Sequence, residues 1–150
     1  YQIKLWGYPP AIWLDVPELK PILMNQVVYN EEKSKAFSAA KIVLNNLHPA
    51  EINGLNKRTF EIPACGGFQI TNYRENTKDL FEIGKEIVVY RDLDDLKEKI
   101  EYYLDPKNEE ERQSIIKAGY ERAVNEHTYE KRLERIFEIT NLKEQSSAET

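Results

Sequence analysis

The stretch NGLNKRTFEIPACGGFQIT, residues 53–71, decides the fold because its local pattern changes three times. It begins with turn residues, and Asn56 is placed to cap a helix that we predict to run to about Cys65, shortened or kinked by Pro63. The Gly66-Gly67 pair then turns the chain tightly into a predicted strand, GFQIT. A loop, a helix and a strand in this order are typical of βα units.

Working outward, two more apolar runs have the character of buried parallel strands. KIVLNN (41–46) and KEIVVY (85–90) are rich in β-branched residues and lie between polar segments. TKDLFEIG (77–84) between them predicts a short helix or turn closed by Gly84. These segments alternate strand and helix along the chain.

The N-terminal part is less regular. YQIKLWG (1–7) and QVVYN (26–30) predict short strands, and the proline-rich segment 8–21 predicts a loop with a turn of helix near its end. Asn30 predicts the N-cap of a helix over 30–40, with Glu31 following in its first turn.

After Asp92 the apolar residues recur at helical spacing and predict three helices. The predicted apolar faces are Leu93, Leu96, Ile100 and Leu104; Ile115, Ile116, Tyr120 and Ala123; and Tyr129, Leu133, Ile136 and Phe137. Residues 141–150 are predicted to be a flexible tail after a domain spanning 1–140. The whole pattern predicts an α/β fold: a Rossmann-like parallel sheet flanked by helices, with C-terminal helices and a ligand crevice at the carboxyl ends of the strands.

Composition narrows the function. A chain of 150 residues with 41% apolar and 31% charged residues is the size of one globular domain. Its net charge of −5 argues against nucleic acid as a partner, and no apolar run is long enough to span a membrane, so we expect a cytoplasmic protein. The single cysteine, Cys65, excludes an intrachain disulfide, and two distant histidines do not suggest a metal site.

The loop 47–55 and the start of the following helix are rich in polar groups. Helix N–H groups, with Lys57 and Arg58 beside them, would suit a diphosphate, although both cations are equally compatible with simple solvation. Glu61 has two readings as well: a solvent-facing acid, or a carboxylate that accepts hydrogen bonds from the vicinal hydroxyls of a ribose. Spacing alone does not separate them.

Other nucleotide chemistry is not supported, since the chain contains no GxGxxG motif and no P-loop. Cys65 has no histidine near it in sequence, so we interpret it as a small buried side chain rather than a nucleophile.

Four segments together resemble a known family. KIVLNNLHP, NGLNKRTFEIPACGGFQIT, DLFEIGKEIVVYRDLDDLKEKIEYYL and AGYERAVNEHTYEKRLERI are similar to the C-terminal domain of the CgeB/YkvP spore-maturation-type glycosyltransferases, of the GT-B superfamily. The resemblance implies a Rossmann-like half of a GT-B fold that binds a nucleotide-sugar donor, with an N-terminal acceptor domain absent here. The chain starts at Tyr1 with Met24 as its only methionine, and we expect it to be a segment of a longer protein.

The resemblance also implies site residues. The superfamily pattern of an acid, seven residues and a second acid places the second acid on Glu61, as ribose ligand. The first acid position carries Asn53, whose amide binds sugar hydroxyls but takes up no proton. Gly54, Asn56, Lys57 and Arg58 would approach the diphosphate.

The implied reaction is transfer of a glycosyl group from a nucleotide-diphosphate sugar, with no metal or other cofactor required and an unknown acceptor. The catalytic base would come from the other domain, so this segment alone is expected to be inactive. A second hypothesis is a non-catalytic nucleotide-sugar or partner-binding module, in which Asn53 marks lost chemistry. A flavodoxin-like or receiver-like domain is a third, but it lacks a receiver's clustered acids.

Overall fold

A computed structural model describes residues 1–7, 15–50 and 52–140. Within these ranges the chain divides into two compact units, residues 1–36 and the residues from 37 onward. The predicted flexible tail lies outside the described residues, as does the first part of the predicted proline-rich loop.

Residues 1–36 contain little regular structure. A 3₁₀ helix spans Pro17–Ile22, close to the predicted turn of helix, and Leu5 and Leu23 form an isolated parallel bridge in place of the strand predicted over 1–7. The strand predicted over 26–30 is wrong. Asn25 and Asn30 take positive φ values of 48° and 44°, which end the extended run on both sides, and β-branched residues form no strand without a neighbouring strand to pair with.

The remaining elements follow the predicted alternation. In chain order they are α1 (Asn30–Ala39), β1 (Val43–Asn45), α2 (Arg58–Ala64), β2 (Gln69–Asn72), α3 (Thr77–Leu80), β3 (Val88–Tyr90), α4 (Leu93–Leu104), α5 (Glu109–Glu126) and α6 (Tyr129–Thr140), with a 3₁₀ turn over Pro106–Asn108 before α5.

The three strands form a parallel sheet in the order β1-β2-β3. Leu44 pairs with Ile70 and Ile70 pairs with Val88, so consecutive strands are neighbours and each βα connection is short. Helices cover both faces of this sheet, which confirms the predicted α/β, Rossmann-like architecture with C-terminal helices.

One face of the sheet is entirely apolar. Its buried cluster consists of Phe68, Ile70, Val88, Tyr90, Tyr103 and Ile115. Tyr103 comes from α4 and Ile115 from α5, and the Phe68 and Tyr103 rings lie 4.7 Å apart. Burial of these side chains supplies the main non-directional stabilisation of the fold.

The opposite face is covered by α2 and α3 and is mixed. Near β3 it is apolar, where Phe81, Ile87 and Val89 are buried and Phe60 of α2 packs against them. Near β1 and β2 it is polar, as described below.

Capping explains where the C-terminal helices begin. The Asp92 side chain accepts a hydrogen bond from the backbone N–H of Asp95 at 2.9 Å, and α5 begins with the three acids Glu109–Glu111, which suit the positive end of the helix dipole. Arg112, buried in the second turn of α5, donates to the carbonyl oxygen of Lys41 at 2.7 Å and ties this helix to the chain just before β1.

Glycine carries the turn before β2, as the sequence predicts. Gly66 has φ of 72°, a conformation that favours glycine, and a Cβ at Gly67 would lie 3.0 Å from the carbonyl oxygen of Phe37. Gly84, with φ of 87°, likewise closes the segment before β3.

Several predicted burials differ in the structure. Leu93 is 78% exposed because it occupies the first turn of α4, before the helix reaches the sheet. Ala64 is exposed and Cys65 half-buried, whereas Thr59 and Pro63 occupy the buried side of α2. The α6 residues predicted to share an apolar face, Tyr129, Leu133, Ile136 and Phe137, are all exposed.

Candidate functional site

A buried polar network holds the first turn of α2 on the sheet. The side-chain amide of Asn45, at the end of β1, donates to Oδ1 of Asn56 (3.1 Å), Oγ1 of Thr59 (3.2 Å) and Oε1 of Gln69 (3.1 Å), three acceptors that share its two hydrogens. Asn56 donates back to Oδ1 of Asn45 at 3.0 Å, and Gln69 donates to the backbone carbonyl of Thr59 at 3.2 Å. Because a buried amide or hydroxyl is costly without partners, these bonds select one position for α2.

Asn56 also caps α2, as the sequence predicts. Its Oδ1 accepts hydrogen bonds from the backbone N–H of Thr59 at 3.1 Å and from the Thr59 hydroxyl at 3.2 Å. The regular helix begins at Arg58, but Lys57 already has helical backbone angles, so Asn56 is the last residue outside it. Asn56 therefore links the helix start to the sheet.

The loop between β1 and α2 is tied to the ends of the other two strands. The backbone N–H of Leu47 donates to Oδ1 of Asn72 at 2.7 Å, and the Tyr90 hydroxyl donates to Oδ1 of Asn46 at 3.1 Å. The start of this loop is thus held at the carboxyl edge of the sheet, where parallel α/β sheets bind ligands.

Glu61 lies on the opposite side of α2 from the network. Its side chain is 23% exposed, and one carboxylate oxygen is 3.0 Å from Nζ of Lys57, one turn earlier and 62% exposed. The hydrogen bond to Glu61 and the negative charge of that carboxylate raise the pKa of Lys57, to which a charge interaction with Tyr129 adds. Glu61 is neither a fully solvated acid nor a buried one.

Glu61 borders a pocket of about 370 Å³. One wall comes from α2 and the loop before it: Leu55, Lys57, Phe60, Glu61 and Ala64. This wall explains the exposure of Ala64, which faces open space beside the helix. A largely apolar cleft with a few polar groups at its edge is the usual form of a small-molecule site.

The second wall comes from the junction of α5 and α6. It consists of Ala123, Val124, His127, Thr128, Tyr129 and Arg132. Gly119, further back on α5, allows this helix to approach α2, because a Cβ there would lie 3.4 Å from Cβ of Pro63 and 2.5 Å from the carbonyl oxygen of Glu86.

Aromatic and cationic contacts stiffen this second wall. The Phe60 and His127 rings are 5.2 Å apart, and Nε2 of His127 lies 2.8 Å from the carbonyl oxygen of Leu80, so it donates a hydrogen bond there. The guanidinium carbon of Arg132 lies 4.1 Å from the centroid of the Phe60 ring. One terminal nitrogen of Arg132, Nη2, is buried and has no hydrogen-bond partner in the described part of the chain.

The structure separates the predicted site residues into two groups. Lys57 and Glu61 line the pocket, and Asn56 positions their helix. Asn53, Gly54 and Arg58 are exposed and are not among the residues lining the pocket. Sequence reasoning missed His127 and Arg132; the break between two helical patterns at this point was the available signal, but it does not indicate which earlier helix they contact.

Two further searches were made over residues 1–7, 15–50 and 52–140. No group of three or more His, Cys, Asp or Glu side chains in these ranges is arranged to hold a metal ion. No helix there is both long and apolar enough to cross a membrane.

Comparison with known proteins identifies the family. Residues 1–138 match the family described as glycosyl transferase-like. The spore protein CgeB of Bacillus subtilis (strain 168) is 28% identical over 139 residues, an alignment that covers 85% of this chain and 41% of the relative. The chain therefore spans about two-fifths of the length of this curated relative. No solved structure gives a significant match. On the match over residues 1–138, together with the parallel sheet and its flanking helices, this chain belongs to the glycosyl transferase-like family, with the general function of glycosyl transfer.

Proposed function

We propose that this chain is the donor-binding domain of a glycosyltransferase and that Glu61 holds the ribose of a nucleotide-diphosphate sugar. One observation carries the proposal. Glu61 is held at 23% exposure in the wall of a pocket of about 370 Å³, on a helix whose position is set by buried hydrogen bonds. The similarity to the spore protein CgeB and to the glycosyl transferase-like family supports it.

The chemistry of Glu61 suits this role. A carboxylate has two oxygens that accept hydrogen bonds in one plane, and a ribose presents two neighbouring hydroxyl donors. Lys57 now occupies one carboxylate oxygen at 3.0 Å. In the proposed complex the ribose takes over that oxygen, and the ammonium of Lys57, with Arg58 beside it, turns to the diphosphate.

The residues before the helix complete the donor site. Asn53 would hydrogen-bond hydroxyls of the transferred sugar, and Gly54 and Asn56 would bring the backbone close to the diphosphate. An amide does not take up a proton at neutral pH, so Asn53 does not serve as the base. The base and the acceptor site belong, in this proposal, to a separate N-terminal domain of the same protein.

The proposed reaction breaks the bond between the anomeric carbon and the diphosphate oxygen and forms a bond to the acceptor nucleophile. The acceptor loses a proton to the base, and the departing diphosphate is stabilised by backbone N–H groups and cations. The independence from metal and the cytoplasmic location remain predictions. This segment alone is expected to bind the donor without turning it over.

A second candidate function is a non-catalytic module that binds a nucleotide sugar or another partner. The observation that favours it is Asn53, an amide at the position where the resemblance places an acid. The two candidates share the pocket, and a transfer assay of the full-length protein with candidate acceptors separates them. Release of nucleoside diphosphate that depends on an acceptor would establish the transferase.

The test is binding of UDP, GDP, UDP-glucose, UDP-N-acetylglucosamine and GDP-mannose, measured by calorimetry and thermal shift. We expect one nucleotide series to stabilise the chain, and Glu61→Ala to weaken that binding about tenfold or more, since hydrogen bonds to charged groups are the stronger class. Glu98→Ala, an exposed acid on α4, is the matched control. Absence of binding by every nucleotide, or equal binding by Glu61→Ala, would contradict the proposal.

A further inference from the structure

We propose that the α5–α6 wall of the pocket is a nucleobase subsite, and that Arg132 selects bases with a carbonyl at the edge far from the sugar. Uracil, thymine and guanine have such a carbonyl, whereas cytosine and adenine carry an amino group there. The inference rests on the proposed function, because it takes Glu61 as the ribose ligand.

The location follows from the connectivity of a nucleoside. The base is attached to the ring carbon next to the 2′-hydroxyl, so a ribose held at Glu61 places the base within a few ångströms of that carboxylate. Glu61 and the α5–α6 junction line the same pocket of about 370 Å³. The base therefore enters the space between α2 and the α5–α6 junction.

The walls of that space fit a flat ring. Phe60 and Ala64 lie on one side, and Ala123, His127 and Tyr129 on the other. Small alanine side chains leave the gap open, and aromatic side chains offer faces and edges against which a base packs without regard to its identity. These contacts supply affinity but do not distinguish one base from another.

Arg132 supplies the distinction. Its guanidinium is held over the Phe60 ring at 4.1 Å, which fixes its plane, and its buried Nη2 has no partner among the described residues. A buried donor without an acceptor is unfavourable, so a ligand that brings an acceptor gains affinity. Arginine carries donors only, and a ligand amino group is also a donor when its lone pair is delocalised into the ring. A carbonyl base satisfies Nη2, and an amino base leaves it unsatisfied.

The test compares UDP with CDP and GDP with ADP by isothermal titration calorimetry on the 150-residue chain. For the wild-type chain we expect UDP to bind about tenfold or more tightly than CDP, with the same preference for GDP over ADP, because a site built for a hydrogen bond rejects ligands that leave it unmade. In Arg132→Met, which keeps an unbranched side chain against Phe60, the preference should fall to within about twofold.

Three further variants make the result specific. Arg135→Met, on the next turn of α6 with a side chain 72% exposed, is the matched control and should retain the preference. Arg132→Lys keeps the charge without the planar guanidinium and should lose most of the preference, which also guards against a folding defect in the methionine variant. Glu61→Ala should weaken all four nucleotides alike, since every one carries the same ribose.

The outcomes separate the two proposals. A preference that survives in Arg132→Met overturns the base subsite and leaves the ribose site intact. An equal loss for all four nucleotides in that variant also overturns it, and assigns Arg132 to the phosphates. Failure of the wild-type chain to bind any nucleotide overturns the proposed function together with this inference.

Discussion

The two faces of the sheet are built by different means. The face under α4 and α5 is an apolar cluster in which Phe68 and Ile70 are fully buried. The face under the first turn of α2 is a set of directional bonds among Asn45, Thr59 and Gln69, which are also buried. Apolar burial tolerates small shifts of one element over another, whereas hydrogen bonds fail within a fraction of an ångström.

This difference explains how the fold serves its site. The apolar face provides most of the stability, and the polar face determines where α2, and therefore Glu61, is located. A helix of seven residues has little stability of its own, so its position depends on these tertiary contacts. We expect changes on the two faces to separate loss of stability from loss of binding.

The largest effect is expected on the apolar face. Phe68→Ala removes a fully buried ring that packs on Tyr103 and should lower the free energy of unfolding by about 3–5 kcal/mol. Urea denaturation measures it, with Leu93→Ala, 78% exposed, as control. A loss below about 1 kcal/mol would show that this face is not the main source of stability.

The polar face should lose less stability and more binding. Asn45→Ala removes an amide that bonds to three side chains and leaves Thr59 and Gln69 short of partners, at a cost of about 2–3 kcal/mol. Nucleotide affinity should fall further than in an apolar-face variant of equal stability, such as Ile70→Val. Equal affinity in the two variants would show that the network does not position Glu61.

The contact between α5 and α2 gives a third test, because it forms the outer wall of the pocket. Gly119→Ala places a Cβ 2.5 Å from the Glu86 carbonyl oxygen, which forces α5 outward and should cost about 1–3 kcal/mol. Thermal unfolding measures it, with Ser114→Ala on the exposed side of α5 as control. An increase in stability, as alanine gives in an uncrowded helix, would contradict the close approach.

The smallest effect is a pH dependence within the apolar face. Burial, with smaller contributions from the charge of Glu111 and a hydrogen bond to it, raises the pKa of Tyr103 to about 12. Unfolding returns the phenol to its ordinary value of 10.0, so the native state holds a proton that the unfolded state has lost between these values.

The free energy of unfolding should therefore fall by about 1–2 kcal/mol as the pH rises from about 10 to about 12, and the contribution should be complete below pH 10. Urea denaturation across this range, compared with Tyr103→Phe, isolates the phenol. The variant should show a shallower decline, and identical slopes would contradict the assigned burial.

The predictions from the sequence succeeded where the signal was local. The runs 41–46, 67–71 and 85–90 each contain an observed strand because β-branched residues lie between turn signals. The same signal failed at 26–30, where no neighbouring strand pairs with the run. Local pattern reports what a segment is able to form, and pairing decides whether it forms.

The candidate site was predictable only in part, for the same reason. Glu61 and Lys57 were recognised because they belong to one short segment around a helix start. Their pocket needs Arg132 and His127, whose contacts with Phe60 cross a long stretch of chain. No periodicity links such residues, so neither the pocket nor the unpartnered Arg132 nitrogen was visible before folding.

By itself, the sequence determined the alternation of strands and helices, the glycine turn before β2, the Asn56 cap and the resemblance that pointed to glycosyl transfer. These features depend on neighbours within a few residues, or on ordered matches along the chain. The tertiary structure alone decided that Asn45 and Gln69 hold α2, that Glu61 faces a pocket, and that Arg132 lies across it. Those relations are made by side chains far apart in sequence, whose packing and hydrogen bonds arise only when the sheet and helices close together.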